Sequence, residues 1–406
     1  MSTAKPIRVE NRATDRVNAT TLSSSQTQGD GGTALSKVSR TNVLTGPVGA
    51  IAATGLAALL ITACTSSSAT HTSAGGHAKK LAVHAAPPRV VSVTPAPGSA
   101  SVNGTSPITV TYTAPLPADD PLPQLSPAIA GSWQRRGDTA VFTPDTGFAA
   151  TTRVTVTVPS GTSPAAATAT FTTGRYSTLR LQELLAQLGY LPMTWTANIG
   201  GTVTPSSAAQ QLSAAYDPPS GSFTWATGYP GQLHSFWKEG SPNMLTRGAV
   251  IGFQASHGLP IDGNAGPALW AAVLKAAVAG QGNTQGYSYA IADENIPETL
   301  TIWHDGRVVL RSPANTGIGV APTPVGTFPV YEKLPFQVMQ GTNPDGSHYA
   351  DPVSWVSYFA GGAAVHYISR GSYGSPQSLG CVELPYYEAK RSYPYLPYGT
   401  LVTVMP

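Results

Sequence analysis

Two side chains in the last quarter of the sequence can carry nucleophilic chemistry together. They are Cys381, in Ser378-Leu-Gly-Cys-Val-Glu383, and His366, in Ala363-Ala-Val-His-Tyr-Ile368. Acyl transfer through a cysteine requires a thiol whose thiolate is favoured and a base beside it. It also requires a group that orients the base, and N–H donors for the oxyanion. Gly380 directly precedes the cysteine and lets backbone N–H groups turn inward beside the sulfur. His366 sits within an apolar run, as on a strand, 15 residues before the cysteine. The stretch from Ser369 to Gln377 is rich in Gly, Ser and Tyr, and is a loop able to fold one segment against the other. By residue type alone a second reading stands beside this one, because a lone cysteine is also a small buried hydrophobe and a strand histidine is often structural. Tyr349, Trp355, Tyr358 and Tyr367 can line a cleft or fill a β core. His348 and Asp351 fall in or next to an expected lid, Gln337 to Ala350, and also read as solvated loop residues. Ser378 either holds its loop through side-chain-to-backbone bonds or touches substrate.

The cysteine count bears on this choice. The 406 residues contain two cysteines, Cys64 and Cys381. Residues 1 to 40 are polar and end in Lys37 and Arg40, and the run from Val43 to Ala63 carries no charge and is nearly free of polar groups, so it alone is able to enter a bilayer. The run ends Ile61-Thr62-Ala63-Cys64, which resembles the bacterial lipobox. That resemblance implies cleavage before Cys64 and a lipid on its thiol; an uncleaved signal anchor is the alternative. Either way the expected location is the outer face of the cytoplasmic membrane or the cell wall, with the membrane as a partner. Residues 65 to 87, rich in Ser, Gly, His and Ala, read as a flexible tether. With Cys64 lipidated, Cys381 is a free thiol outside the cell, which calls for an explanation by reactivity.

Composition excludes other classes. Charged residues make up 11% of the chain and the net charge is +3. No basic stripe is present, so nucleic acid is not an expected partner. The eight histidines are scattered without paired ligand spacing, so no metal is expected. No glycine-rich phosphate loop joins a strand to a helix, and no cofactor is expected. The 42 glycines and 36 prolines favour loop-rich β structure.

The elements that must position the site fall into three modules, for a multidomain chain. Residues 88–174 alternate apolar and polar over short runs such as Ile108-Thr-Val-Thr-Tyr112 and Val154-Thr-Val-Thr-Val158, which predicts an all-β sandwich. This stretch resembles bacterial Ig-like domains. Residues 175–282 turn helical: Leu181, Leu184, Leu185 and Leu188 repeat every three to four residues, and further helices are expected over 247–257 and from Pro267. Leu181-Gln182, Leu188-Gly189-Tyr190, Phe253-Gln254, Asp262-Gly263 and Leu269-Trp270 resemble the peptidoglycan-binding domain 1 family, with an insertion at about 193 to 242. Glycan-peptide binding and a helical spacer packed on the last domain are both open for this module. Residues 286–406 return to strands, with a hairpin signal at His304-Asp-Gly-Arg307 and a mostly β, sandwich-like expectation.

Residues of about 286 to 404 resemble the L,D-transpeptidase catalytic domain. The matching elements are Thr323-Pro-Val-Gly-Thr-Phe328, the strand His366, and Ser378-x-Gly380-Cys381-Val382. The resemblance implies a β-sandwich that acts on peptidoglycan stem peptides. Cys381 would attack the diaminopimelate carbonyl that precedes a terminal D-alanine, and His366 would take the thiol proton and protonate the leaving amine. The resemblance also implies oxyanion donors in the backbone around Gly380 and Cys381, and a base oriented by the Tyr367 carbonyl. The sequence departs from the family pattern in three ways. Leu379 stands for the usual His, Glu383 stands for the usual Arg or Asn two residues past the cysteine, and the gap from His366 to Ser378 is short. Glu383 thereby becomes a candidate substrate contact. A degenerate, non-catalytic peptidoglycan-binding protein is the competing reading.

Overall fold

The computed structural model describes residues 87–159, 167–198 and 205–406. The export run, Cys64 and the tether up to residue 86 lie outside the described residues.

The first domain comprises β1 (Val90–Thr94), β2 (Ile108–Tyr112), β3 (Gln124–Ser126), β4 (Gly131–Arg136), β5 (Thr139–Pro144), β6 (Arg153–Val158) and β7 (Ala167–Thr172). They form two sheets, ordered β1-β2-β5-β4 and β3-β6-β7. Strand alternation sends Ile108, Val110 and Tyr112 inward to meet Val154, Val156, Val158 and Phe171.

The middle region contains α1 (Thr178–Gln187), β8 (Met193–Ala197), α2 (Ala208–Tyr216), β9 (Gly221–Trp225), α3 (Met244–Ser256) and α4 (Pro267–Ala279). Helix α3 starts earlier than periodicity alone predicts, because the Asn243 side chain accepts the Thr246 N–H at 2.9 Å and caps it. The segment read as an insertion contributes α2 and the antiparallel β8–β9 pair that flanks it in sequence, and its Trp195 and Leu233 join the same core as Leu184, Phe253 and Trp270. That core also takes in Tyr289, Ile291 and Leu401 of the last domain. Helix α3 approaches that domain backbone to backbone: a Cβ on Gly248 would lie 2.6 Å from the Gly399 carbonyl oxygen.

The last domain contains β10 (Ser288–Asp293), β11 (Thr299–His304), β12 (Arg307–Pro313), β13 (Gly326–Pro329), β14 (Glu332–Thr342), β15 (His348–Ala360), β16 (Ala363–Tyr367), β17 (Val382–Leu384), α5 (Tyr386–Ser392) and β18 (Leu401–Met405). One sheet runs β12-β11-β10-β18-β13 and the other β14-β15-β16-β17. Ala290, Ala292, Ile302, Val402 and Val404 of the first meet Val365, Val382 and Leu384 of the second. Strand β10 reads as a continuous apolar run because both its faces are covered: Tyr289 and Ile291 by the helices, Ala290 and Ala292 by the second sheet.

The segment Gln337 to Ala350, expected to be a loop-like lid, is a β-hairpin. β14 and β15 pair from Glu332↔Tyr358 to Thr342↔His348. The reversal is made by Asn343-Pro-Asp-Gly-Ser347, where Asp345 accepts the Ser347 N–H at 2.9 Å. His348 and Asp351 are therefore strand residues.

Candidate active site

Strands β16 and β17 run parallel, with Val365↔Val382, His366↔Glu383 and Tyr367↔Leu384 in register. Val365, Val382 and Leu384 enter the core between the sheets. Alternation turns His366 and Glu383, with Ala364 and Cys381, to the opposite face. Cys381 and Ala364 there pack near Val353, Val356 and Tyr358 of β15. Cys381 is two residues before the partner of His366, so the two backbones are offset by one pleat repeat, about 7 Å along the strand.

Cys381 is half-buried as a residue, and its S–H donates to the Gly362 carbonyl at 3.9 Å. Burial, with the Glu383 charge adding to it, pushes the thiol up to about 11. His366 is 2% exposed and its Nδ1 has no hydrogen-bond partner. Burial lowers the imidazole pKa, and the Tyr367 backbone and the Glu383 carboxylate oppose that shift. Both shifts favour a neutral thiol and a neutral imidazole. A preformed ion pair, the state that would let the thiolate persist to low pH, is disfavoured.

The loop before the sulfur is fixed from two sides. Gly380 has φ +112°, a conformation open to glycine. Its N–H donates to Ser378 Oγ at 3.1 Å, and Ser378 Oγ donates to the Cys381 carbonyl at 2.6 Å. The Ser378 N–H in turn donates to the Thr316 carbonyl at 2.9 Å. Thr316 is anchored by the buried Glu298 carboxylate, which accepts its N–H at 2.6 Å and its hydroxyl at 2.8 Å. Thr323 accepts the Gly317 N–H at 2.8 Å, which ties the start of the Thr-Pro-Val-Gly-Thr-Phe segment to the same framework. Asn315, fully buried, accepts the Gly374 N–H at 2.9 Å and donates to the Ser372 carbonyl at 3.2 Å.

Glu383 does not face an open cleft. It is 3% exposed and takes the Arg370 guanidinium in a fork, Nε to Oε2 at 2.8 Å and Nη2 to Oε1 at 2.6 Å. Tyr349 and Tyr358 lie close enough to the sulfur for its charge to add to the burial that raises both phenols. Tyr358 also donates to Gln337 Oε1 at 2.7 Å. Tyr331 joins them, donating to the Gly361 carbonyl. Trp355 packs elsewhere: its ring lies 5.8 Å from that of Tyr393, against the core between the sheets. The Tyr367 ring meets Tyr386 edge-on at 5.1 Å, which leaves its backbone as the part near the imidazole.

Sequence reasoning missed Arg370, Asn315, Glu298, Thr316 and Tyr331. Arg370 follows His366 by four residues and was the one cation in the loop, a signal that could have paired it with Glu383. The buried Glu298 and Asn315 carried no pattern of their own.

Residues 289–404 match the model of the L,D-transpeptidase catalytic domain, residues 84–178 that of a bacterial Ig-like domain, and residues 244–273 that of a peptidoglycan binding domain. Along the chain the matches therefore run from Ig-like through peptidoglycan-binding to L,D-transpeptidase catalytic domain. Among solved structures it is similar to an L,D-transpeptidase from Mycobacterium smegmatis, at 18% identity over 79% of this chain and 100% of that one, with a TM-score of 0.27. It is similar to L,D-transpeptidase 3 from Mycobacterium tuberculosis in complex with a faropenem-derived adduct, at 16% identity over 78% and 98%, TM-score 0.27. The catalytic domain of an Enterococcus faecium L,D-transpeptidase is 27% identical over 30% of this chain and 100% of that one, TM-score 0.27. No curated protein matches.

Proposed function

We propose that the chain is a cysteine L,D-transpeptidase of the cell envelope that acts on peptidoglycan stem peptides, with Cys381 as nucleophile and His366 as general base. The observation that carries this is the parallel β16–β17 pairing, which gives the thiol and the imidazole a common sheet face.

In this reading His366 takes the thiol proton as the sulfur attacks the carbonyl of the diaminopimelate residue before a terminal D-alanine. The C–S bond forms, the C–N bond breaks, and the imidazolium returns its proton to the departing amine of D-alanine. An amine of a second stem peptide then attacks the thioester. The new C–N bond forms, the C–S bond breaks, and the proton released by the amine returns to sulfur through His366. Glu383 supports the transient imidazolium by its charge. The Gly380 N–H is engaged by Ser378, so the Cys381 N–H is the backbone donor assigned to the oxyanion. Tyr331, Tyr349 and Tyr358 line the approach to the sulfur. An envelope location agrees with the three matched domains, and attachment through Cys64 belongs to the same proposal.

The test is incubation with disaccharide tetrapeptides, followed by mass spectrometry. D-Alanine release and cross-linked dimers are expected from the native chain and from none of its Cys381→Ala variant. D-Alanine release that survives Cys381→Ala ends this reading.

One observation favours the alternative, a wall-binding protein without turnover: the thiol is pushed up to about 11. That reading expects sacculus binding with no acyl-enzyme at Cys381.

A further inference from the structure

We propose that Arg370 forms a carboxylate-binding subsite beside the reacting bond and there holds the terminal carboxylate of the acyl donor; the identity of that donor rests on the transpeptidase reading above.

The geometry begins with the fork. Glu383 takes Nε and Nη2 of Arg370, which leaves both N–H groups of Nη1 and the outer one of Nη2 unassigned. Planar guanidinium accepts carboxylates on two edges, and the second edge is the free one here. The two partners differ in access: the Arg370 side chain is 31% exposed and that of Glu383 is 3% exposed. A solute therefore reaches the cation and not the anion.

Position selects the ligand. Glu383 lies two residues past Cys381 on the same sheet face and its charge acts on the thiol, so the guanidinium it holds is kept on the face that carries the sulfur. In a peptide ending in a free amino acid, the terminal carboxylate is two bonds beyond the scissile nitrogen. So short a span suits a carbonyl at the sulfur and a carboxylate at a cation on the same sheet face. His366 is level with Glu383 on the neighbouring strand, and both Arg370 and Glu383 act electrostatically on its imidazole. The leaving amine would then sit near the proton it receives.

The guanidinium is also held in advance. Tyr373 donates its hydroxyl to the Ile368 carbonyl at 2.6 Å and closes the turn that carries Arg370. The bidentate fork fixes the head group. A pre-positioned fork loses little side-chain freedom on binding a second carboxylate.

The experiment measures equilibrium binding of two stem tetrapeptides to the full chain carrying Cys381→Ala. One peptide ends in D-alanine and the other in D-alanine amide. The acid should bind about tenfold or more tightly, and adding Arg370→Gln should remove that preference while leaving amide affinity within about twofold. Arg370→Lys, which keeps the charge without the fork, should retain a partial preference. Equal affinity of the acid and the amide for the Cys381→Ala chain overturns the subsite, without need of any Arg370 variant. An acid preference that survives Arg370→Gln overturns it as well. If the native chain releases no D-alanine but the Cys381→Ala chain still prefers the acid through Arg370, the subsite stands and the transpeptidase reading falls.

Discussion

Asn315 and Glu383 exchange both backbone hydrogen bonds, Asn315 N–H to the Glu383 carbonyl at 3.0 Å and Glu383 N–H to the Asn315 carbonyl at 2.9 Å. This isolated bridge joins the chain leaving the first sheet to the last strand of the second. The segment carrying Cys381 is therefore clamped on two sides, by His366's strand and by Asn315.

Asn315→Ala should destabilise the protein by about 2–3 kcal/mol, because buried N–H groups of the 372–377 loop lose their acceptor. Urea unfolding would measure it. A midpoint unchanged from the native chain would show that the loop satisfies itself without this side chain.

Ser378→Ala removes two hydrogen bonds that set the Gly380–Cys381 turn. Stability should fall by about 1–2 kcal/mol. D-Alanine release should fall further than that loss accounts for, since the sulfur is no longer held. Parallel melting and turnover measurements separate the two, and full turnover in the variant would contradict a fixed loop.

The thiol at about 11 makes a pH prediction. A raised pKa keeps the sulfur protonated through neutral pH, so the thiolate accumulates as pH rises toward 11. At pH 8 the folded protein should hold on the order of 100-fold less thiolate than an unfolded chain with a thiol pKa near 9. Each thiolate is about tenfold more nucleophilic at the higher pKa, so alkylation should be about tenfold slower. Iodoacetamide labelling from pH 6 to 11, folded against urea-unfolded, reads this directly. An inflection below 8 would mean that a preformed ion pair governs the site.

Gly248→Val should separate α3 from the turn at Gly399, where a Cβ meets the carbonyl oxygen at 2.6 Å. A cost of about 2–3 kcal/mol is expected. Deleting 175–282 should expose Tyr289, Ile291 and Leu401 and leave a catalytic domain that aggregates, seen by light scattering. A monomeric, fully stable truncation would show instead that the helices dock without supporting the sheet.

The sequence alone determined the periodicities, and with them the element types. Period two over Ile108–Tyr112 and over Val154–Val158 marks strands, and the leucine spacing from 181 to 188 marks a helix, because local burial imposes those repeats. It also singled out Cys381, His366, Gly380 and Ser378, since their types and order carry a chemical pattern. Tertiary structure alone decided that Gln337–Ala350 pairs into a hairpin and that Trp355 turns to the core. It decided likewise that Glu383 is sequestered by Arg370, and that Asn315 and Glu298 hold the site loop. These outcomes depend on strand register and on contacts between residues far apart in the chain. One-dimensional spacing does not encode which side chains meet across a sheet.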